Sequence, residues 1–457
     1  MLNSNADTSS PLSIKQSSDN ISNSNKVLDM ELNSNSLKGI ENEYPKHPTT
    51  YLQTLTHMLK GNIATGVFAM GDAFKNAGLI LGPILTIFLG VVAVFNQHIL
   101  LDCAEYKRKN ENLNYVPNFD DTVYYCFERG PFLFKKLAKH CKVTVNICLI
   151  LASLGFCSVY FVFVSTAVKQ VFETLTLIKL DVHLHMVLVL FVILLFSSIR
   201  NLKFLAPVSL LATILIFFGI ATTLYLSMSD LPPITSRKPI GKLVDIPLFF
   251  GTALYCFEGI SLVLPLQREM KNPQKFKSPL GVLNLGMIIV TVTLLTTGIV
   301  GYLKYGDNVE GSLTLNLPSD DPLSLYVKVS VAIGVLLTYP IMLYVPVILT
   351  WPMVERKWGP FKKPLLYHYI LRFSLVLSTF FMAEIIPNLG LFISLCGSVT
   401  STTLAFMIPP LIDIAVRWGN DFGFCYWRLF VDIFTLFLGC YGICTGAYTS
   451  IVSIFSS

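Results

Sequence analysis

From residue 52 to residue 455 the chain is a succession of apolar runs, about eleven in all, most of them nearly free of charge. A helix of about 18 or more such residues crosses a hydrocarbon core of about 30 Å. Lipid is therefore the solvent this chain must satisfy. The runs fall at 52–74, 79–101, 143–168, 186–199, 205–228, 246–266, 280–303, 323–350, 366–387, 389–411 and 429–454, the fourth being short. They are continuous rather than alternating, and only structures with closed backbone hydrogen bonding survive in lipid, so they read as helices and not as barrel strands. Charge supports the same reading. Only 14% of the residues are Asp, Glu, Lys or Arg, against about 25% in an ordinary soluble domain, which is too little to solvate a globular surface. The expected fold is an all-α polytopic membrane protein.

Residues 1–46 differ in kind. Asn and Ser dominate from Asn3 to Ser36, and aromatic residues are almost absent. A segment of this composition does not bury enough apolar surface to fold, so it reads as a disordered cytosolic tail ahead of a membrane domain from 47 to 457. The tail lacks the charged start and apolar run of a secretory signal, leaving insertion to the first span. The sequon Asn20-Ile21-Ser22 is read as chance in an Asn/Ser-rich tract.

Lys and Arg set the orientation. The loop after the second run carries Lys107, Arg108, Lys109, Arg129, Lys135, Lys136, Lys139 and Lys142, and that after the fourth carries Arg200 and Lys203. Later loops on the same side add Arg268, Lys271, Lys275, Lys277, Arg356, Lys357, Lys362 and Lys363, whereas the segment from Asp307 to Asp321 on the other side is acidic. The positive-inside rule places the N-terminus in the cytosol and, with an odd number of spans, Ser457 outside or in a lumen. The net charge of +6 is met by anionic inner-leaflet lipid and calls for no nucleic acid. The ten cysteines fall within spans or on the cytosolic side, which argues against a disulfide framework, and no Cys/His spacing resembles a metal site.

Two runs are interrupted. The first contains Gly61-Asn62-Ile63-Ala64-Thr65-Gly66, followed by Gly71; the sixth contains Gly251 and then Tyr255-Cys256-Phe257-Glu258-Gly259. Irregular backbone at membrane depth is tolerated only where it is buried or lines a cavity. Paired interruptions at matching places in two halves point to a transporter site between inverted repeats. Here the repeats span about 52–228 and 246–411, with 429–454 as an extra helix. The competing reading is that the glycines serve close helix packing.

At such a site the outer half of the first helix offers free N–H groups and a positive dipole end to a carboxylate. Carbonyls at the end of the first half of the sixth helix suit an ammonium group. Both together read as an amino acid site, formed by Gly61, Asn62, Ile63, Ala64, Thr65, Gly66 and Gly259, with Tyr160, Tyr255 and Phe257 as pocket candidates that compete with plain packing. Ionisable groups in a bilayer default to functional hypotheses. His57 precedes the first break, and histidine is the residue type suited to proton exchange, although an interfacial role fits its position equally. Glu258 lies in the second break. Asp72 lies beyond the first and fits an outer vestibule, where simple hydration is the competing reading. Lys60 and Lys75 are expected to snorkel from the helix ends.

The segment His57-Met58-Leu59-Lys60-Gly61-Asn62-Ile63-Ala64-Thr65-Gly66, followed by Phe74-Lys75-Asn76-Ala77-Gly78, closely resembles the first helix of the proton-coupled amino acid transporters of the amino acid/auxin permease group. Matches continue in Ile199-Arg200-Asn201-Leu202, Pro247-Leu248-Phe249-Phe250-Gly251-Thr252-Ala253, Phe257-Glu258-Gly259-Ile260, Leu313-Thr314-Leu315-Asn316-Leu317-Pro318 and Gly397-Ser398-Val399. The resemblance, insect-like in its Gly71-Asp72, implies a leucine-transporter-type fold. It also implies symport of protons with small neutral amino acids such as glycine, alanine and proline, with His57 in the position of the coupling histidine. Two departures stand out: Gly71-Asp72 replaces the family's usual Leu-Pro, and 169–185 and 316–326 lack the cysteines of the external disulfide.

The sequence therefore points to a secondary transporter, not an enzyme, needing no cofactor or metal, in the plasma or lysosomal membrane. Two alternatives stay open. One is an amino acid sensor with little flux that engages cytosolic partners through its tail, and the other is a sodium-coupled or uncoupled carrier.

Overall fold

The computed structural model describes residues 48–176, 178–198, 202–418 and 426–456. The tail of residues 1–46, Arg200, Cys425 and the side chain of Lys203 lie outside the described residues. Among those described, helix is the regular structure throughout, apart from one bridge between Thr49 and Met270.

The first span is two helices, α1 (Tyr51–Asn62) and α2 (Thr65–Ala77). Then come α3 (Leu81–Asn110), α4 (Phe119–Arg129), α5 (Phe132–Thr176), α6 (Val182–Ser197) and α7 (Leu202–Met228). The sixth span is again two helices, α8 (Ile246–Cys256) and α9 (Ile260–Glu269). It is followed by α10 (Val282–Tyr305), α11 (Pro322–Trp358) and α12 (Pro364–Ile385). The tenth span runs from α13 (Leu389–Cys396) through π-helical turns at Gly397–Ser401 and Thr403–Met407 into α14 (Ile408–Arg417). Last come α15 (Trp427–Tyr441), a π-helical turn and α16 (Ala447–Ser456). Among the described residues nine helical stretches are long and apolar enough to cross a membrane. Val182–Ser197 is shorter, and the first span is divided between helices of 12 and 13 residues.

The broken spans run antiparallel, with α1 packed along α9 and α2 along α8. Pairing like depths in this way is what an inverted repeat requires, because each broken helix meets its counterpart half for half. The far ends are joined through the backbone. Thr49 N–H donates to Glu269 O at 2.8 Å and Lys271 N–H to Thr49 O at 2.9 Å, while Gly241 N–H donates to Ala77 O at 2.7 Å and Leu79 N–H to Lys238 O at 3.0 Å. Gly78, at φ +96°, permits the last approach, since a Cβ there would lie 2.7 Å from Ile240 Cα.

The segment from 102 to 142, expected as a loop, contains α4. Asp120 and Asp121 in its first turn and Arg129 in its last match the helix dipole. Phe119, Val123, Cys126 and Phe127 form a buried stripe against α5 and α14. Lys142 of α5 fastens it, 2.5 Å from Asp121 and 3.5 Å from Asp120. α5 starts at Phe132 rather than 143, and its 45 residues reach about 68 Å, well beyond a bilayer.

The nine described cysteines are free. The loops that join α7 to α8 and α10 to α11 are laced by other means. Arg237 donates to Leu303 O at 2.9 Å and to Lys304 O at 3.0 Å, Lys238 pairs with Asp307 at 3.0 Å, and Asn316 donates to Asn308 O at 3.0 Å.

Thr50 and Gln53 form a reciprocal cap on α1, with Thr50 N–H donating to Gln53 Oε1 at 2.9 Å and Gln53 N–H to Thr50 Oγ1 at 3.4 Å. Loss of an N-cap side chain costs about 1 kcal/mol, roughly a fivefold change in an opening equilibrium. Thr50→Ala is expected to speed amide hydrogen exchange in the first turns of α1 by about that factor and to leave α2 unchanged.

Candidate functional site: the paired breaks

The first break is short. Asn62 closes α1, Ile63 (φ −95°, ψ 76°) and Ala64 (φ −118°, ψ −135°) are non-helical, and Thr65 opens α2. The break is thus narrower than the Gly61–Gly66 window expected from sequence, for a steric reason. Gly61 lies against Leu262 of α9, Gly66 against Cys256, where a Cβ would lie 2.9 Å from Sγ, and Gly71 along Gly301 of α10. These glycines flank the break and let neighbouring helices close on it, as the packing alternative held. The second break comprises Phe257, Glu258 and Gly259, as expected.

The two breaks are held together. Thr65 Oγ1 and Tyr255 Oη share a buried hydrogen bond of 3.1 Å, and the Cys256 thiol donates to Gly66 O at 3.1 Å. A Cβ on Gly259 would strike the Asn62 carboxamide. Ala64 offers no side chain to cap the first turn of α2. The positive end of α2 and the negative end of α8 therefore lie side by side at the same depth. One anionic group and one cationic group separated by a single carbon suit such a pair of ends.

Around them the wall is aromatic and hydroxylic. Phe156 packs on Tyr255 with ring centroids 4.5 Å apart and the planes tilted by 41°. Tyr160, one turn further along α5, is buried with its hydroxyl unpartnered in the protein, as is Asn62 Oδ1. Asn62 Nδ2 donates to Met58 O at 2.9 Å. Phe257 is buried toward Gly90 of α3, where a Cβ would lie 3.2 Å from its ring. Glu258, 6% exposed, accepts a hydrogen bond from the Ser401 hydroxyl.

Ser401 brings in a third irregular segment. The first π-helical turn of the tenth span packs against α8, where Gly397 rides on the Gly251 carbonyl and, just before it, Ser394 Oγ donates to Leu248 O at 3.1 Å. Asn96 of α3 donates to Ala405 O at 2.7 Å, satisfying a buried carbonyl within this stretch. Phe156 and Ser401 were not among the residues expected from sequence. For Ser401 the hydroxyl run Thr400-Ser401-Thr402-Thr403 inside an otherwise apolar span was an available signal; for Phe156 there was none.

The other ionisable candidates lie apart from this centre. His57 is on the exposed face of α1. Asp72 is not simply hydrated: its carboxylate abuts Gly390 at the start of α13, 2.6 Å from where a Cβ would be, and pairs with Lys75 at 3.4 Å. Lys60 does not snorkel either. Its ammonium donates to Ser209 O at 2.9 Å and to the Ser209 hydroxyl, tying α1 to α7. Among the described residues no group of three or more His, Cys, Asp or Glu is placed to hold a metal ion.

A family model described as transmembrane amino acid transporter protein matches residues 47–452. The proton-coupled amino acid transporter-like protein pathetic of Drosophila melanogaster is 31% identical over 411 residues, covering 89% of this chain and 86% of that protein. The amino acid transporter AVT3A of Arabidopsis thaliana is 27% identical over 421 residues, covering 90% and 92%. Among solved structures, the inward-facing conformation of Mhp1 is similar in fold, with a TM-score of 0.52 at 12% identity over 90% of this chain and 92% of that one.

Proposed function

The chain belongs to the transmembrane amino acid transporter family, folded as a leucine-transporter-type inverted repeat, and from that premise we propose that it imports small neutral amino acids into the cytosol by proton symport. The observation that carries this reading is the uncapped N-terminus of α2 lying beside the C-terminus of α8, bridged by Thr65–Tyr255 and Gly66–Cys256. The N–H groups opening α2 take the substrate carboxylate, and the carbonyls closing α8 take its ammonium. In this reading Tyr160 and Tyr255, with Phe156 against Tyr255, border the substrate side chain, and glycine, alanine and proline are the substrates proposed.

In this reading Glu258 carries the proton at the centre. His57, on the exposed face of α1, exchanges protons on the cytosolic side, and Asp72 does so toward the outer side. Basic loops retain the N-terminus in the cytosol. Alternating access comes from rocking the broken-helix bundle against the rest of the molecule.

Proline or alanine uptake measured at outside pH of about 5.5 and 7.5, either side of histidine's ordinary pKa, is expected to be faster at the acid pH and indifferent to sodium replacement. Uptake that ignores pH or follows sodium overturns symport with protons, and tight binding without flux favours a sensor. A narrower prediction concerns the bridge. Tyr255→Phe removes one neutral hydrogen bond of about 0.5–1.5 kcal/mol, so KM is expected to rise roughly two- to tenfold with little change in the amount of folded protein.

A further inference from the structure

On the face assigned to the cytosol, a cavity of about 700 Å³ opens between the end of α3, the segment before α4 and the end of α9. That volume lies within the usual range of small-molecule sites, about 300–1,000 Å³. Its lining includes Arg108, Arg268, Lys271, Lys275 and Lys277, with Glu105 as the acid. Glu105 is already engaged, 3.0 Å from Lys109 on its own helix, and Lys277 pairs with Asp102.

Arg108, Lys271 and Lys275 have no carboxylate partner among the described residues. Arg268 is held in place as the back wall, with its Nε donating to Val116 O at 2.9 Å and Nη2 to Asn118 Oδ1 at 2.5 Å. Arg108, Lys271 and Lys275 gathered around a concave volume, beside the fixed guanidinium of Arg268, present several donors to one compact anion rather than a diffuse field to a flat surface. Basic pockets between membrane helices at the inner surface suit phosphorylated headgroups.

We propose that this cavity is a regulatory binding site for a compact anion bearing two or more phosphate groups, of the kind presented by a phosphorylated inositol ring. The site is separate from the paired breaks but mechanically joined to them. Its wall includes the end of α9, the half-helix that Thr49 ties to α1 through Glu269 and Lys271. An occupant bridging Lys271 and Lys275 to Arg108 holds that end of α9 against α3, so occupancy sets how freely the inner halves move.

The test uses the full-length protein in lipid nanodiscs or detergent. Binding is measured for soluble inositol 1,4,5-trisphosphate and for phosphatidylcholine vesicles carrying phosphatidylinositol 4,5-bisphosphate, with phosphatidylserine vesicles of matched charge as comparison. Lys271→Gln with Lys275→Gln is expected to weaken binding roughly thirtyfold, whereas Lys139→Gln, a neutralisation on the exposed surface of α5 outside the lining, leaves it nearly unchanged. Binding of the soluble headgroup identifies a soluble ligand, and binding of the lipid form alone identifies a membrane one; both support the site. Equal binding of phosphatidylserine, or equal loss in the Lys139 variant, overturns it. Binding is read without uptake, so a failed transport assay leaves the inference standing, and matched melting temperatures exclude misfolding as the source of a loss.

Discussion

Glu258→Gln is expected to abolish the pH-dependent part of uptake while the protein still folds and reaches the membrane. Glu258 sits in the break between α8 and α9, 6% exposed, and accepts from the Ser401 hydroxyl. Among the described residues no cation lies within ion-pairing distance of it. A carboxylate at membrane depth without a cation is costly unless it takes a proton or a cationic ligand. The substrate ammonium and the proton are the two partners the proposed cycle supplies. Glutamine keeps the size of the side chain and an oxygen for Ser401, so the packing survives, but it neither takes up nor releases a proton. A hydrogen bond to a charged group is worth about 1.5–3 kcal/mol, so uptake at acid pH is expected to fall roughly 10- to 150-fold and the residual rate to become flat with pH. Proteoliposomes with an imposed pH gradient measure this directly. A variant that keeps the acid stimulation would remove Glu258 from the coupling step.

The second large effect is steric. Gly397, in the π-helical stretch of the tenth span, lies so close to α8 that a Cβ there would penetrate the Gly251 carbonyl oxygen and come within 2.8 Å of Tyr255 N. Both obstacles are backbone, and no rotamer change relieves them. Adding methylenes to a packed core commonly costs about 1–3 kcal/mol, and a clash with main chain falls at or above the top of that range. Gly397→Val is expected to prevent α8 from seating, which moves Tyr255 off Thr65 and separates the paired breaks. The measurement is fluorescence-detected size-exclusion chromatography with a thermal ramp. A monodisperse peak with an unchanged melting temperature would show that the tenth span does not press on α8 as described. Gly66→Ala, whose Cβ meets a thiol 2.9 Å away, is expected to be milder.

The spans were legible because crossing a bilayer demands long apolar runs, and such runs have few other uses. α4 escaped the same reading: its 11 residues are too few to stand out, and its apolar face is one stripe among acidic and basic residues. The break in the first span was visible as a cluster of weak helix formers, but its position at Ile63 and Ala64 was not. Glycine reports both unwinding and close approach, and only the contacts of Gly61 and Gly66 with Leu262 and Cys256 distinguish the two. Glu258 was found because a lone acid in an apolar run is conspicuous. Its partner Ser401 was not, because serine at membrane depth commonly bonds to its own helix. The approach of Asp72 to Gly390 and the hydrogen bonding of Lys60 to Ser209 join residues far apart in the chain, and no local pattern announces such contacts.

The backbone bonds that tie Thr49 to Met270's neighbours and Ala77 to Gly241 have a mechanical consequence. Each pair of half-helices is stitched at the end farthest from its break, so neither member of a pair swings alone. The two non-helical joints, two residues long at Ile63–Ala64 and three at Phe257–Gly259, sit side by side like two barrels on one hinge pin. A door mounted this way turns about a single axis, and in the proposed cycle the substrate is held on the axis itself, where the displacement is smallest while either leaf opens.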